Sequence, residues 1–90
     1  MIAIYMNGRA VGQTTEGVLR ELANELDALR ARTGKLIDAY STTTVECTHA
    51  AIVLQAAKAG SARRSKGAQL FLELLEEAVR TGNTLLIEGD

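Results

Sequence analysis

The sequence predicts a single small α+β domain, residues 1–90, in which helices pack on one face of a small sheet. Three observations favour this class. An Asn-Gly pair separates two short apolar runs near the N-terminus, three later stretches space their apolar residues as helices do, and another strand-like run follows the last of them. The predicted element order is β-β-α-(β)-α-α-β, and the strand in parentheses covers residues 35–40.

The first two strands are predicted over residues 2–6 and 9–13, joined by Asn7 and Gly8. An Asn-Gly turn favours a hairpin because both of its central residues need positive φ. In the register of a two-residue turn, Ile4 pairs with Val11. Both side chains are then expected on the same face of the sheet.

One long helix is predicted over residues 16–33, with Thr14 or Thr15 as its N-cap and Gly34 as its C-terminal stop. Residues 35–40 fit either a short strand or a docked loop, and we favour the strand. A run of hydroxyl residues follows, and it is expected to cap a second helix over residues 44–59: Ser41, Thr42, Thr43 and Thr44. That helix is apolar nearly all round, which is typical of a helix that is central in its fold or faces a partner chain.

A third helix is predicted over residues 66–81, and Gly82 and Asn83 end it. Its spacing predicts that five side chains face inward: Leu70, Phe71, Leu74, Leu75 and Ala78. The last strand, over residues 84–88, is expected to join the N-terminal hairpin.

Composition limits the function classes. Aromatic residues make up 3% of the chain, so the core is predicted to be aliphatic and rich in Ala, and self-association into a homo-oligomer is expected to add stability. A net charge of −1 argues against a general nucleic-acid coat protein. The single Cys47 rules out an internal disulfide and predicts a reduced, cytoplasmic protein. No apolar stretch reaches the ~18 residues of a membrane span, and the N-terminal run is interpreted as a strand, not a leader.

The charge pattern indicates one candidate site. Residues 47–72 contain no Asp or Glu, yet Arg63, Arg64 and Lys66 cluster in the loop before the third helix. Cations at the start of a helix oppose its dipole, so an anion or an acidic partner is expected there. Ser61 and Ser65 would add donors, although Ser65 could simply cap the helix and the loop could be a solvated connection. The loop departs from a nucleotide-binding P-loop at Ser65 and Gly67.

Other side chains are weaker candidates. His49 could act as a base beside a phosphate, or could be a core or interface histidine; Cys47 is expected to be a small buried hydrophobic residue. Thr42 and Thr43 could donate to a ligand. No set of residues predicts a metal site, a cofactor or a catalytic group, and an enzyme is therefore the weakest class.

Two functional hypotheses remain. In the first, the chain is a small non-enzymatic interaction protein, such as a phage-type inhibitor or regulator, that docks on a larger protein through the basic loop. In the second, the same loop binds nucleic acid or a small phosphate-containing ligand, and Tyr5 or Tyr40 could stack on a base.

Overall fold

The structure is a computed structural model that describes residues 1–60 and 63–89. Within these residues four strands form one antiparallel sheet in the order β2-β1-β4-β3, with four helices beside it. The strands are β1 (Ile2–Met6), β2 (Arg9–Thr14), β3 (Thr42–Val45) and β4 (Leu85–Glu88). The helices are α1 (Glu16–Glu21), α2 (Ala23–Thr33), α3 (Cys47–Ala59) and α4 (Lys66–Thr81). The α+β class is confirmed, as is the pairing of the last strand with the N-terminal hairpin.

The hairpin turn has the predicted backbone geometry, with φ of 55° at Asn7 and 77° at Gly8. The predicted register is wrong beyond the turn. Tyr5 pairs with Ala10, but the ladder then shifts, so Ile4 lies opposite Gly12 and Val11 becomes an exposed bulge residue. Packing explains the shift, because a Cβ on residue 12 would lie 2.9 Å from Leu74 Cδ1. A glycine opposite Ile4 lets α4 approach the sheet closely.

The predicted long helix is divided at Leu22. There the backbone leaves helical geometry, at φ −96° and ψ 20°, while the Leu22 side chain is buried. The chain changes direction at this division, so that α1 contacts α4 and α2 contacts α3. The predicted ends are confirmed: Thr15 Oγ1 accepts the Val18 N–H at 3.3 Å, and Gly34 adopts the left-handed conformation with φ 77°.

The extra strand lies later than residues 35–40, where the structure has a loop. The strand is β3, built from the hydroxyl run, and α3 starts only at Cys47 with no side-chain cap bond. β-Branched residues suit a strand better than a helix start. Thr43 and Val45 are buried while Thr42 and Thr44 are exposed, which is the alternation of a strand with one covered face.

The core lies between the sheet and the helices, and its largest fully buried side chains are Phe71, Ile2, Ile4, Leu22, Leu29, Leu75, Leu85, Ile87, Val45 and Val53. Helix α3 contacts both α2 and α4, and this central position explains its apolar composition. One inward prediction on α4 is wrong: Leu70 is 52% exposed. It lies on the outer side of α4, next to edge strand β2, where no further element of the described chain covers it.

Candidate functional site: the basic corner between α3 and α4

The basic loop connects the end of α3 to the start of α4. Arg63 is exposed, Arg64 is half-buried, Ser65 is the N-cap of α4, and Lys66 is the first residue of that helix. Ser61 lies outside the described residues. We call the described basic residues of this region, together with Ser65, the basic corner: Lys58, Arg63, Arg64, Ser65 and Lys66.

Arg64 points inward. Its Nη2 donates a hydrogen bond to the Ala57 carbonyl at 2.7 Å and lies 3.5 Å from Glu25 Oε1 of α2. The side chains of this ion pair are only 19% and 14% exposed, so solvent screens it less than the other ion pairs of the described chain. The guanidinium also lies at the C-terminal end of α3, where a cation is favourable. Arg64 therefore ties the loop to α2 and α3.

The N-terminus of α4 already has an anion. The Ser65 N–H donates to Glu21 Oε2 at 2.8 Å, and Ser65 Oγ accepts the Ala68 N–H at 3.1 Å. The bond from the Ser65 backbone is the main cause that lowers the pKa of Glu21, and the Arg64 charge adds to it. The conflict between basic residues and the helix dipole is thus relieved by a carboxylate of the same chain.

Gly67, near the start of α4, lets α1 approach α4. A Cβ on residue 67 would lie 2.9 Å from Val18 Cγ2. At Gly60 an added Cβ would meet Arg64 Nη2 at 3.5 Å, an ordinary contact distance. The space beside Gly67 is thus taken by α1, whereas Gly60 is exposed.

Three cations of the corner point outward. Lys58, Arg63 and Lys66 are exposed and make no hydrogen bond or ion pair within residues 1–60 and 63–89. Lys58 and Arg64 also line a shallow cavity of about 290 Å³, whose other lining residues include Leu72 and Glu76. The corner can therefore make ionic contacts with an incoming acidic group without breaking an internal bond.

The other predicted candidates are not bonded to this corner. Thr43 Oγ1 is buried and donates to the Leu36 carbonyl at 3.3 Å, whereas Thr42 is exposed on the sheet. His49 and Cys47 are half-buried, and His49 Nδ1 has no hydrogen-bond partner in the described part of the chain. Among those same residues, no group of three or more His, Cys, Asp or Glu could hold a metal ion.

The two tyrosines lie apart from each other. Tyr5 is half-buried and pairs across β1 and β4 with Leu86 on the sheet face away from Ile4. Tyr40 is 70% exposed, and its hydroxyl donates to Glu16, which also pairs with Arg20 at 2.8 Å. The hydrogen bond from Tyr40 is the main cause that lowers the pKa of Glu16. Neither ring is hydrogen-bonded to the basic corner.

Sequence reasoning missed the acidic half of the site. In the structure Glu21 is the last residue of α1 and Glu25 lies in α2, and they hold Ser65 and Arg64. Their spacing of four residues would place them on one side of the long helix predicted over residues 16–33, which was the available signal. Their partners lie about forty residues further along the chain, as the Glu21–Ser65 separation of 44 shows, and no local pattern reveals such a pair.

Fold and site together define a class: a two-layer α+β protein with an internally braced corner that presents free cations. Beyond that class, comparison with protein families, curated proteins and solved structures finds no match to this chain. Among the described residues, no helix is both long and apolar enough to cross a membrane.

Proposed function

We propose that this chain is a small non-enzymatic interaction protein, an inhibitor or regulator, that docks its basic corner on an acidic surface of a larger protein. The observation that carries the proposal is that the side chains of Arg63 and Lys66 are exposed and have no partner among residues 1–60 and 63–89, while Arg64 and Ser65 between them are bonded to the body of the domain. A braced loop loses little conformational freedom on binding, which favours affinity. We place this activity in the cytoplasm, where the free Cys47 stays reduced.

The internal acids favour a macromolecular partner over a small phosphate. A phosphate at the N-terminus of α4 would have to displace the Glu21 carboxylate from the Ser65 N–H. It would also approach Glu25, which lies 3.5 Å from Arg64, and like charges repel. An acidic protein surface needs only the outward cations, and it leaves the internal bonds intact.

Nucleic acid is the second candidate, supported by the cluster of Lys58, Arg63 and Lys66 in a stretch without acids. Like an acidic protein surface, nucleic acid would contact only the outward cations of the corner. Three phosphate contacts to a single strand would give a steep salt dependence, with a log–log slope of about −2. This steepness distinguishes it from a protein contact that is largely apolar around a few ion pairs.

The test uses a charge-reversed variant and a matched control. Arg63→Glu with Lys66→Glu removes the outward cations, while Arg30→Glu with Arg32→Glu reverses two exposed cations at the end of α2. Binding is measured by fluorescence anisotropy with two labelled probes, a Glu-rich peptide and a single-stranded oligonucleotide. Lysine-directed cross-linking in source cells then identifies the protein bound at the corner.

Loss of peptide binding and of the cross-linked protein in the corner variant alone, at an unchanged melting temperature, supports docking on a protein. Oligonucleotide binding with a steep salt slope and no cross-linked protein supports the second candidate instead. Equal binding by the wild-type chain, the corner variant and the control contradicts both uses of the corner.

A further inference from the structure

A second surface of the molecule is incompletely covered. It is formed by edge strand β2 and the neighbouring side of α4, and we call it the edge surface. Its groove residues are Val11, Gly12, Gln13, Leu70, Glu73, Leu74 and Glu77, and Lys66 flanks them at the start of α4, one turn before Leu70. A groove of about 470 Å³ runs between the two elements. At its centre Leu70 is 52% exposed, and Val11 is 39% exposed on the strand side. Exposed large apolar residues that adjoin a groove are typical of an interaction site.

The strand side of this surface has free backbone groups. β2 is the terminal strand of the sheet, so it pairs with β1 on one side only. Alternate N–H and C=O groups of its other side are open to a further strand. Residues 9–13 are all exposed, and no described helix covers that edge.

The helix side carries a basic residue at one end and acidic residues at the other. Lys66, Leu70, Glu73 and Glu77 follow one another at spacings of three and four residues, which places them on one side of α4. The basic residue lies at the start of the helix and the acidic residues lie in its second half. Within the described residues, neither Lys66 nor Glu73 makes an ion pair, while Glu77 pairs with Arg80.

We propose that the edge surface binds a second copy of this chain across a two-fold axis. The two β2 strands then pair in antiparallel fashion, and the two α4 helices lie antiparallel beside each other. Near the axis Leu70 meets Leu70 of the second copy. Lys66 of each chain lies opposite the acidic half of α4 in the other, close to Glu73.

The charge order selects this occupant. A surface with one basic end and one acidic end is complementary to itself only when the two copies run in opposite directions, as a two-fold axis requires. Two-fold pairing of edge strands also removes the exposed edge that β2 would otherwise present.

The dimensions predict a modest dimer. α4 has 16 residues and is therefore about 24 Å long, and β2 has six residues over about 20 Å. Two elements of this length form a small contact face. Interfaces of standard size bury about 800 Å² per partner, and this face is expected to bury no more than that. We therefore expect a monomer–dimer equilibrium in the micromolar range, not a permanent dimer.

The proposed dimer goes beyond the proposed function, and Lys66 is the one residue that both surfaces use. The measurement is sedimentation velocity over low to high micromolar concentration, which reads the oligomeric state and not target binding. Leu70→Glu should abolish the dimer. Leu36→Glu is the matched control, since Leu36 is also 52% exposed but lies beside α1 and α2.

Charge exchange gives a test that does not depend on apolar contacts. Lys66→Glu and Glu73→Lys should each weaken the dimer at least about tenfold, because each places like charges together across the axis. The double variant restores opposite charges at both contacts and should regain wild-type affinity. A monomer at every concentration, an intact dimer in Leu70→Glu, or no recovery in the double variant would overturn the proposal.

Discussion

Glu21 and Ser65 are 44 residues apart in sequence, yet the Ser65 backbone N–H donates to Glu21 Oε2 at 2.8 Å. This bond turns an unfavourable charge pattern into a stable corner. The chain supplies its own anion at the start of α4, and Arg64 neutralises a second acid, Glu25. The remaining cations of the loop are then free to face outward.

The two arginines of the corner are predicted to differ in their effect on stability. Arg64→Ala should lower the free energy of unfolding by about 1–3 kcal/mol, because it removes a charged hydrogen bond and leaves Glu25 partly buried without its partner. Arg63→Ala should change it by less than about 0.5 kcal/mol, since Arg63 is exposed. Urea unfolding of both variants measures the difference. Similar losses in the two would show that Arg64 does not brace the loop.

The Glu21–Ser65 bond predicts a pH dependence of stability. The folded pKa of Glu21 lies below its ordinary value of 4.5, because the bond favours the ionised carboxylate. Its contribution to stability is therefore present above about pH 4.5 and is lost as the pH falls through the folded pKa. Glu16 and Glu77 have lowered pKa values as well, so they contribute to the same loss.

Glu21→Gln should therefore reduce the stability at pH 7 and make the fall in stability below pH 4.5 shallower. The measurement is a series of thermal melts from neutral to acidic pH. Asp27→Asn is the control, because Asp27 is exposed and its side chain makes no hydrogen bond within the described residues. If stability fell equally steeply below pH 4.5 in the wild type and in Glu21→Gln, the role assigned to this bond would be contradicted.

Gly89 is predicted to be intolerant of any side chain. A Cβ there would lie 2.6 Å from the Ala39 carbonyl oxygen and 2.7 Å from the Ser41 nitrogen, and backbone atoms cannot move aside cheaply. Gly89→Ala should therefore cost about 1–3 kcal/mol of stability. Gly17→Ala is the opposite case: the nearest atom is at 3.7 Å, and the residue lies in α1, so a gain of about 0.5–1 kcal/mol is expected. Differential scanning calorimetry of both variants decides; a rise in both melting temperatures would refute the tight approach at Gly89.

Two leucines of α4 test which side of the helix is covered. Leu75 is 0% exposed, and Leu75→Ala should cost about 2–5 kcal/mol through lost burial and a cavity. Leu70→Ala should lower the free energy of unfolding by less than about 0.5 kcal/mol, because Leu70 is 52% exposed. This measurement is made at a concentration low enough to keep the chain monomeric. Chemical denaturation gives both values. Comparable losses of stability in the two variants would show that Leu70 is part of the core.

Local sequence signals predicted the parts of this fold that depend on neighbouring residues. Asn7-Gly8 set the turn, Thr15 and Ser65 cap their helices, and Gly34 and Gly82 end theirs in the left-handed conformation. Each of these depends on φ preferences or on a hydrogen bond within three residues. Such effects are visible in a short window of sequence.

The features that were not predicted depend on distant contacts. The β2 bulge follows from the approach of Leu74 to Gly12, and the break at Leu22 follows from the separate contacts of α1 and α2 with α4 and α3. The third strand was placed too early because the hydroxyl run fits a helix cap as well as a strand. At the site, the basic residues were found, but their acidic partners were not, since burial and pairing across the fold decide which charges remain free.

The strand order has a consequence for how the chain is made. Of the four described strands, β4 comes latest in the sequence, yet it is the strand that joins β1 to β3, and β3 pairs with no other described strand. A ribosome-bound chain that has exposed residues 1–84 can close the hairpin and begin its helices, but β3 has no described strand to pair with. The helices must then hold apolar faces in water until the last strand emerges, and such exposed intermediates are prone to aggregate. The emergence of residues 85–88 is therefore the step that lets the described sheet form completely.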